Sequence, residues 1–241
     1  QSAAVLTSDR RAISPVLYAR GADDLLFVLG WTVILTGLRF IVQSVLLKPL
    51  ARACGRTKRM TVHKFAENGW QVIYYACAFC TGLSIQFGTD WWFFGEPDWN
   101  ENLWRGYGGE VLHRPVVKAY YLIQLAFWVS MIFVTLVEPW RSDIVPMMLH
   151  HFITSFMVGG SYSLDQIRVG TAVLVEQDFA DVFLPLAKCF KYIGLPGIGD
   201  VVFAIFAVSW YPTRHGLFFY IYASIINDYP AHCTPDDVNG V

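Results

Sequence analysis

The stretch Met147–Lys191, MMLHHFITSFMVGGSYSLDQIRVGTAVLVEQDFADVFLPLAKCFK, decides how the chain is read. It is mostly apolar, yet it carries two adjacent histidines, His150 and His151, and two aspartates three apart, Asp178 and Asp181. Such groups are costly to place in a bilayer, so ionisable residues inside an apolar span are functional candidates by default.

The composition around that stretch argues for a membrane. Of 241 residues, 55% are hydrophobic and only 15% charged, with a mean hydropathy of +0.41. Soluble domains run at about 45–50% apolar and about 25% charged. A net charge of −1 leaves no basic field for nucleic acid. The cysteines (Cys54, Cys77, Cys80, Cys189 and Cys233) are odd in number and do not space as a disulfide framework. Cys77 and Cys80, inside an apolar run, read as helix packing rather than metal or redox chemistry. Residues 1–24 form an N-terminal segment that holds Arg10, Arg11 and Arg20 but no apolar core of a signal peptide. A start at Gln1 rather than Met fits a piece of a longer protein.

A transmembrane helix needs about 20 mostly apolar residues. Six runs qualify: 25–47, 68–88, 119–137, 145–163, 169–189 and 198–222. Arg39 interrupts the first and is expected to face the bundle interior. Pro212 and Arg214 lie inside the sixth, where a kink is expected. Residues 48–64 read as a loop carrying the densest positive cluster, Lys48, Arg52, Arg56, Lys58, Arg59 and Lys64, which marks the cytoplasmic side. Alternation then puts Arg141, Lys188 and Lys191 on that side, and the loops at 89–118 and 164–168 on the luminal side. The three N-terminal arginines oppose this orientation. WWFFGEPDWNENLW, residues 91–104, suits a membrane interface, where aromatic rings sit. Glu138–Asp143 reads as a short charged turn, and residues 226–241 as a polar surface tail.

Residues three or four apart share a helix face. His151, Thr154, Ser155, Val158 and Ser161 or Tyr162 therefore make a polar stripe in the fourth run, and Asp178, Asp181 and Pro185 one in the fifth. Facing each other, the stripes would line a channel in which each His hydrogen-bonds an Asp, leaving its other nitrogen free as base or nucleophile. Metal binding, a proton or ion relay, and acyl transfer through His are the functional readings. Adjacent histidines point different ways on a helix, whereas zinc-binding helices space theirs four apart.

The pattern resembles the Lag1 motif of ceramide synthases, within the TLC-domain family. The likeness rests on His150–His151 with Thr154, Ser161–Tyr162, Arg168–Val169–Gly170, Asp178-x-x-Asp181, and Leu184 to Ala187–Lys188. Lys64–Phe65–Ala66–Glu67 with Trp70 and Tyr74–Tyr75 resembles the start of that domain, and Thr213–Arg214 with Gly216 its sixth-span pattern. The resemblance covers about residues 60–225, with the TLC domain itself expected over 65–225. It implies an all-α, polytopic helical barrel in the endoplasmic reticulum membrane, with about six transmembrane helices visible here. The implied reaction is N-acylation of a sphingoid long-chain base by fatty acyl-CoA to give ceramide or dihydroceramide. His150, His151, Asp178 and Asp181 would be catalytic, and Thr154, Ser161, Tyr162, Arg168 and Arg214 would line the substrate channel. No metal and no cofactor beyond the acyl-CoA co-substrate is expected; the partners are the bilayer and a membrane subunit or second copy. The alternatives are a non-catalytic relative in lipid transport or sensing, and a paralogue acting on an unusual base.

Two departures from the family pattern stand out. Glu176 and Gln177 precede the first aspartate, where the family is apolar or differently polar; Glu176 is expected to pair with Arg39, Arg214 or Lys188. The family also has a further span after the sixth; without it the barrel would lack a wall, or another protein or the chain beyond Val241 would supply it.

Overall fold

The computed structural model describes residues 21–87, 89–92, 99–104, 113–137 and 144–227. Among them every expected apolar run is helical and there is no strand. Helix α1 spans Asp23–Ala53, α2 Arg59–Gln86, α3 Trp99–Trp104, α4 Pro115–Val137, α5 Ile144–Ser163 and α6 Ile167–Ile193. Helix α7, Pro196–Tyr211, runs through a π-helical stretch, Pro212–Leu217, into α8, Phe218–Asn227. The interruption expected at Pro212 thus takes the form of a π-helical turn, a feature frequent at functional sites. Residues 1–20, the turn at Glu138–Asp143 and the tail from 228 onward lie outside the described residues.

The basic segment at 48–64 is not a loop. Helix α1 continues past the expected end at Leu47 through its own π-helical stretch, Gln43–Leu47. With α2 starting at Arg59, only Cys54–Lys58 connects them. Arg56 in that turn donates through Nη2 to the Ile193 carbonyl at 2.7 Å, capping the end of α6. The turn and the Lys188–Lys191 end of α6 therefore lie on one side of the bundle, as the alternation of runs requires. Gly194 has a φ of 86°, the left-handed conformation that ends α6. A Cβ there would also meet the Arg56 guanidinium.

Helix α2 packs along α6, α6 along α7, and α4 joins α1 to α5. Tyr74 of α2 stacks on Phe127 of α4 with ring centroids 3.4 Å apart, and Phe127 and Tyr121 are fully buried. Gly170 lies where α6 meets Tyr121, whose ring a Cβ at 170 would strike.

The aromatic segment differs from expectation. Trp91, Trp99 and Trp104 are buried and cluster with Val169 and Ile221. The Trp104 indole donates to Ser224 Oγ at 3.0 Å. These rings close one end of the bundle, because α3 folds back against α6 and α8.

Among the described residues, two helices are long and apolar enough to cross a membrane, Asp23–Ala53 and Pro115–Val137. Large apolar side chains stand exposed along α1, α5 and α7, among them Val33, Phe40, Phe156 and Val208, the last at 76%. Patches of this extent mark a surface covered by lipid or protein.

Candidate functional site

His150 and His151 sit one helical turn beyond Met147, about 100° apart around α5. That angle separates their fates. His150 is exposed and lines a cavity of about 460 Å³, together with Arg39, Tyr75, Trp128, Asp181 and Arg214. His151 is buried, and neither ring nitrogen has a hydrogen-bond partner. Trp128 of α4 lies against both, its ring centroid 5.5 Å from His150 and 5.9 Å from His151. The two imidazoles are 5.7 Å apart. The Trp128 Nε1–H is also buried without an acceptor.

The expected His–Asp hydrogen bonds do not form among the described residues. Asp178, buried at 3% exposure, turns instead to α4. Gln124 Nε2 donates to its Oδ2 at 2.5 Å, and the Tyr120 hydroxyl reaches the same oxygen at 3.4 Å. Behind them Tyr74 donates to Gln124 Oε1 at 2.8 Å. Asp181 turns to the π-helical turn, where Arg214 Nη2 donates to Oδ1 at 2.7 Å. Arg214 also donates through Nη1 to Gln177. Two aspartates on one face thus have opposite neighbours: a neutral amide and phenol for one, a guanidinium for the other. Asp181 still shares a cavity with His150.

The channel candidates divide. Arg214 is in the His150 cavity. Thr154 is half-exposed and returns its hydroxyl to the His150 carbonyl at 2.8 Å. Ser161 is bonded to the Tyr121 hydroxyl, and Tyr162 donates to Asp24, which Lys118 Nζ also meets at 2.8 Å. Arg168 donates to the Asn102 carbonyl at 3.1 Å beside a separate polar pocket lined by Asp90, His113 and Arg114. There His113 Nε2 and Asp165 Oδ1, both buried, are 2.8 Å apart. Ser161, Tyr162 and Arg168 are therefore not in the histidine cavity, because they lie three turns or more along α5 or at the far end of α6.

Trp128, Gln124 and Tyr120 carry no sequence signal of their own, and Tyr74 enters only through the resemblance at the start of the domain. Their apolar runs look like ordinary spans; the nearest to a signal is Gln124 amid aliphatic neighbours, a polar group that a buried helix must satisfy. Glu176 is buried near Arg214 and the Phe218 amide, but neither oxygen completes a hydrogen bond. The hydrogen-bonded pairing expected for it with Arg39, Arg214 or Lys188 is not made; the Arg214 Nη1 and Nη2 groups bond Gln177 and Asp181 instead. Among the described residues, no three His, Cys, Asp or Glu converge on a metal-sized site.

Residues 64–238 match the family model for the TLC domain. Over 213 residues, 88% of this chain, the sequence is 38% identical to a sphingosine N-acyltransferase-like protein of Alternaria alternata, covering 48% of that protein. It is 34% identical over 88% of its length to a sphingosine N-acyltransferase of Schizosaccharomyces pombe, covering 53% of it. It is also 33% identical over 93% of its length to a ceramide synthase of Gibberella moniliformis, covering 51% of it. The chain thus spans about half the length of these curated relatives.

Proposed function

The chain belongs to the TLC-domain family, and from that premise we propose that it joins a fatty acyl group from acyl-CoA to the amine of a sphingoid long-chain base, giving ceramide or dihydroceramide. The observation that carries this reading is the cavity that His150 shares with Asp181 and Arg214, with His151 and Trp128 against it. Amide formation from a thioester needs a base to take a proton from the amine and a carbonyl held beside it. His150 is the imidazole with access to the cavity, and serves as base or acyl acceptor. Asp181, kept in place by Arg214, sets the field around it; Asp178, held by Gln124, fixes the packing of α6 on α4. A thioester is already activated, so the step proceeds without ATP.

The reaction belongs in a helical barrel of six spans in the endoplasmic reticulum membrane. Helices α2, α5 and α6 have 28, 20 and 27 residues, enough to span about 30 Å of hydrocarbon. The polar groups that lower their hydropathy, such as Glu67, His151 and Asp178, are buried in protein, as intramembrane polar groups should be. Lys58 in the turn after α1, and Arg59 and Lys64 in the first turns of α2, stand exposed, suited to the phosphates of CoA.

Membranes containing the full-length protein, supplied with a long-chain base and a panel of acyl-CoA lengths, should yield the N-acyl product. No amide with any donor would refute the reading. His150→Ala is expected to abolish turnover; an unchanged rate would remove His150 from the mechanism while leaving the activity.

A further inference from the structure

Helices α1, α2 and α4 enclose a second cavity, of about 640 Å³, that shares no lining residue with the histidine cavity. Its walls include Leu38 and Val42 of α1, Ile73 and Ala78 of α2, and Ala119 and Ile123 of α4; among the described residues no charged side chain lines it. Tyr74, Tyr120 and Gln124 border it too, but their polar ends are taken up by one another. The Tyr74 hydroxyl donates to Gln124 Oε1 at 2.8 Å, and Gln124 Nε2 to the Tyr120 hydroxyl at 3.0 Å. Tyr74 also stacks on Phe127, so these rings hold the cavity open. Trp70 and Thr81 mark its ends on α2, about 16.5 Å apart along the helix. Over that length the volume makes a slot about 7 Å across, too narrow for a helix, which with side chains needs about 10–12 Å. At the Thr81 end, where Pro115 opens α4, one polar group is free. Thr32, Thr36, Ser84 and Thr135 each return a hydroxyl to the carbonyl one turn back. The Thr81 hydroxyl makes no hydrogen bond among the described residues.

These features select a ligand. Val116 in the lining is exposed, as are Val33 and Phe40 on the same stretch of α1, so the slot opens within the apolar surface of the bundle. Left empty, its walls forfeit their packing contacts. A charged head group finds no counter-charge there, which disfavours a phospholipid, a fatty acid or a sphingoid base. A preformed slot favours a rigid occupant, which loses least freedom on binding. The single free hydroxyl at one end matches a single polar group on the ligand. We propose that the slot binds a membrane sterol, its ring body beside Tyr74 and Tyr120 and its hydroxyl bonded to Thr81. Sterol binding goes beyond the acyltransfer reading and does not depend on it. Gln124, held by the two tyrosines, donates to Asp178, so the sterol packs against the back of the network that fixes that aspartate.

The test uses the full-length protein in phosphatidylcholine nanodiscs with graded cholesterol. Cys77 lines the slot, whereas Cys54 and Cys80 are exposed but do not line it. Cholesterol at four times its Kd should slow alkylation of Cys77 by N-ethylmaleimide about fivefold, with Cys54 and Cys80 changed by less than about twofold. Thr81→Val removes the hydroxyl alone and should raise the half-protecting cholesterol content by about 3–10-fold. It stays informative if Ala119→Trp, which fills the slot and should abolish the protection, fails to fold. In a second arm, a photoreactive sterol should attach within residues 70–81 or 115–124 and be displaced by cholesterol. Cholesterol that slows all three cysteines alike, or that leaves Cys77 unchanged, would overturn the proposal. So would labelling of the slot by a phosphatidylcholine with a photoreactive acyl chain that cholesterol fails to displace, since the occupant is then a bulk lipid chain. Parental protection in Thr81→Val would overturn the placement of the sterol hydroxyl.

Discussion

Gln124 of α4 holds Asp178 of α6 through an amide N–H to Oδ2 contact of 2.5 Å, 54 residues apart in sequence. The same amide donates to the Tyr120 hydroxyl at 3.0 Å and accepts from Tyr74 at 2.8 Å. One side chain therefore ties α2, α4 and α6 together at the depth of the first aspartate. Gln124→Leu would leave the carboxylate and the Tyr74 hydroxyl without their partner. A loss of about 1–3 kcal/mol is expected, read as a lowered thermal transition in detergent, together with reduced amide formation. Gln124→Glu would bring a second carboxyl against Asp178 and should be worse than Gln124→Leu; the reverse order would mean that packing, not the hydrogen bonds, sets the cost.

Gly170 stands in the Arg168–Val169–Gly170 motif for a packing reason. A Cβ there would run into the Tyr121 ring and hydroxyl. Tyr121 is fully buried and bonded to Ser161, so it has little room to move. Overpacking of this kind costs about 1–3 kcal/mol. Gly170→Ala should lower the thermal transition, and Gly170→Ala with Tyr121→Phe should recover part of the loss, because the hydroxyl is one of the atoms struck. No recovery would place the strain elsewhere on the ring.

Helix positions follow from apolar runs of sufficient length, and each run from 25–47 to 198–222 is a helix. The pairing of His150 with Asp181 in one cavity follows from their similar distance to the charged ends of α5 and α6. What periodicity omits is which neighbour a stripe faces. Asp178 lies on the Asp181 face of α6, yet the α4 amide takes its carboxylate and Arg214 takes that of Asp181. Tyr162 continues the His151 stripe, but about three turns of rise carry it to Asp24 at the other end. The Trp-rich segment looked interfacial by composition, and only tertiary contact with α6 and α8 shows it as core.

Asp24 anchors the start of α1. It accepts from Tyr162 of α5 and pairs with Lys118 of α4 at 2.8 Å, with both partners of the ion pair mostly buried. Breaking a largely buried pair by removing one charge is more costly than removing both. Asp24→Asn and Lys118→Met should each lower the thermal transition, and the double variant should lose less than the two single losses added. Simple additivity in the double-variant cycle would show that the two charges do not interact.

Glu176 makes the opposite prediction. Its carboxyl is 7% exposed and bonded to nothing, while Arg214 nearby is committed to Asp181 and Gln177. A buried carboxyl with no partner is a cost that the fold carries. Glu176→Gln keeps the shape, removes the acid and supplies an amide to the crowded π-helical turn. The thermal transition should rise, and the Arg214–Asp181 pair should be left intact because Glu176 takes no part in it. Amide formation then separates two explanations for the residue. Retained turnover in a more stable Glu176→Gln protein identifies Glu176 as a tolerated burden, whereas lost turnover with raised stability identifies it as an acid kept for function at the expense of the fold.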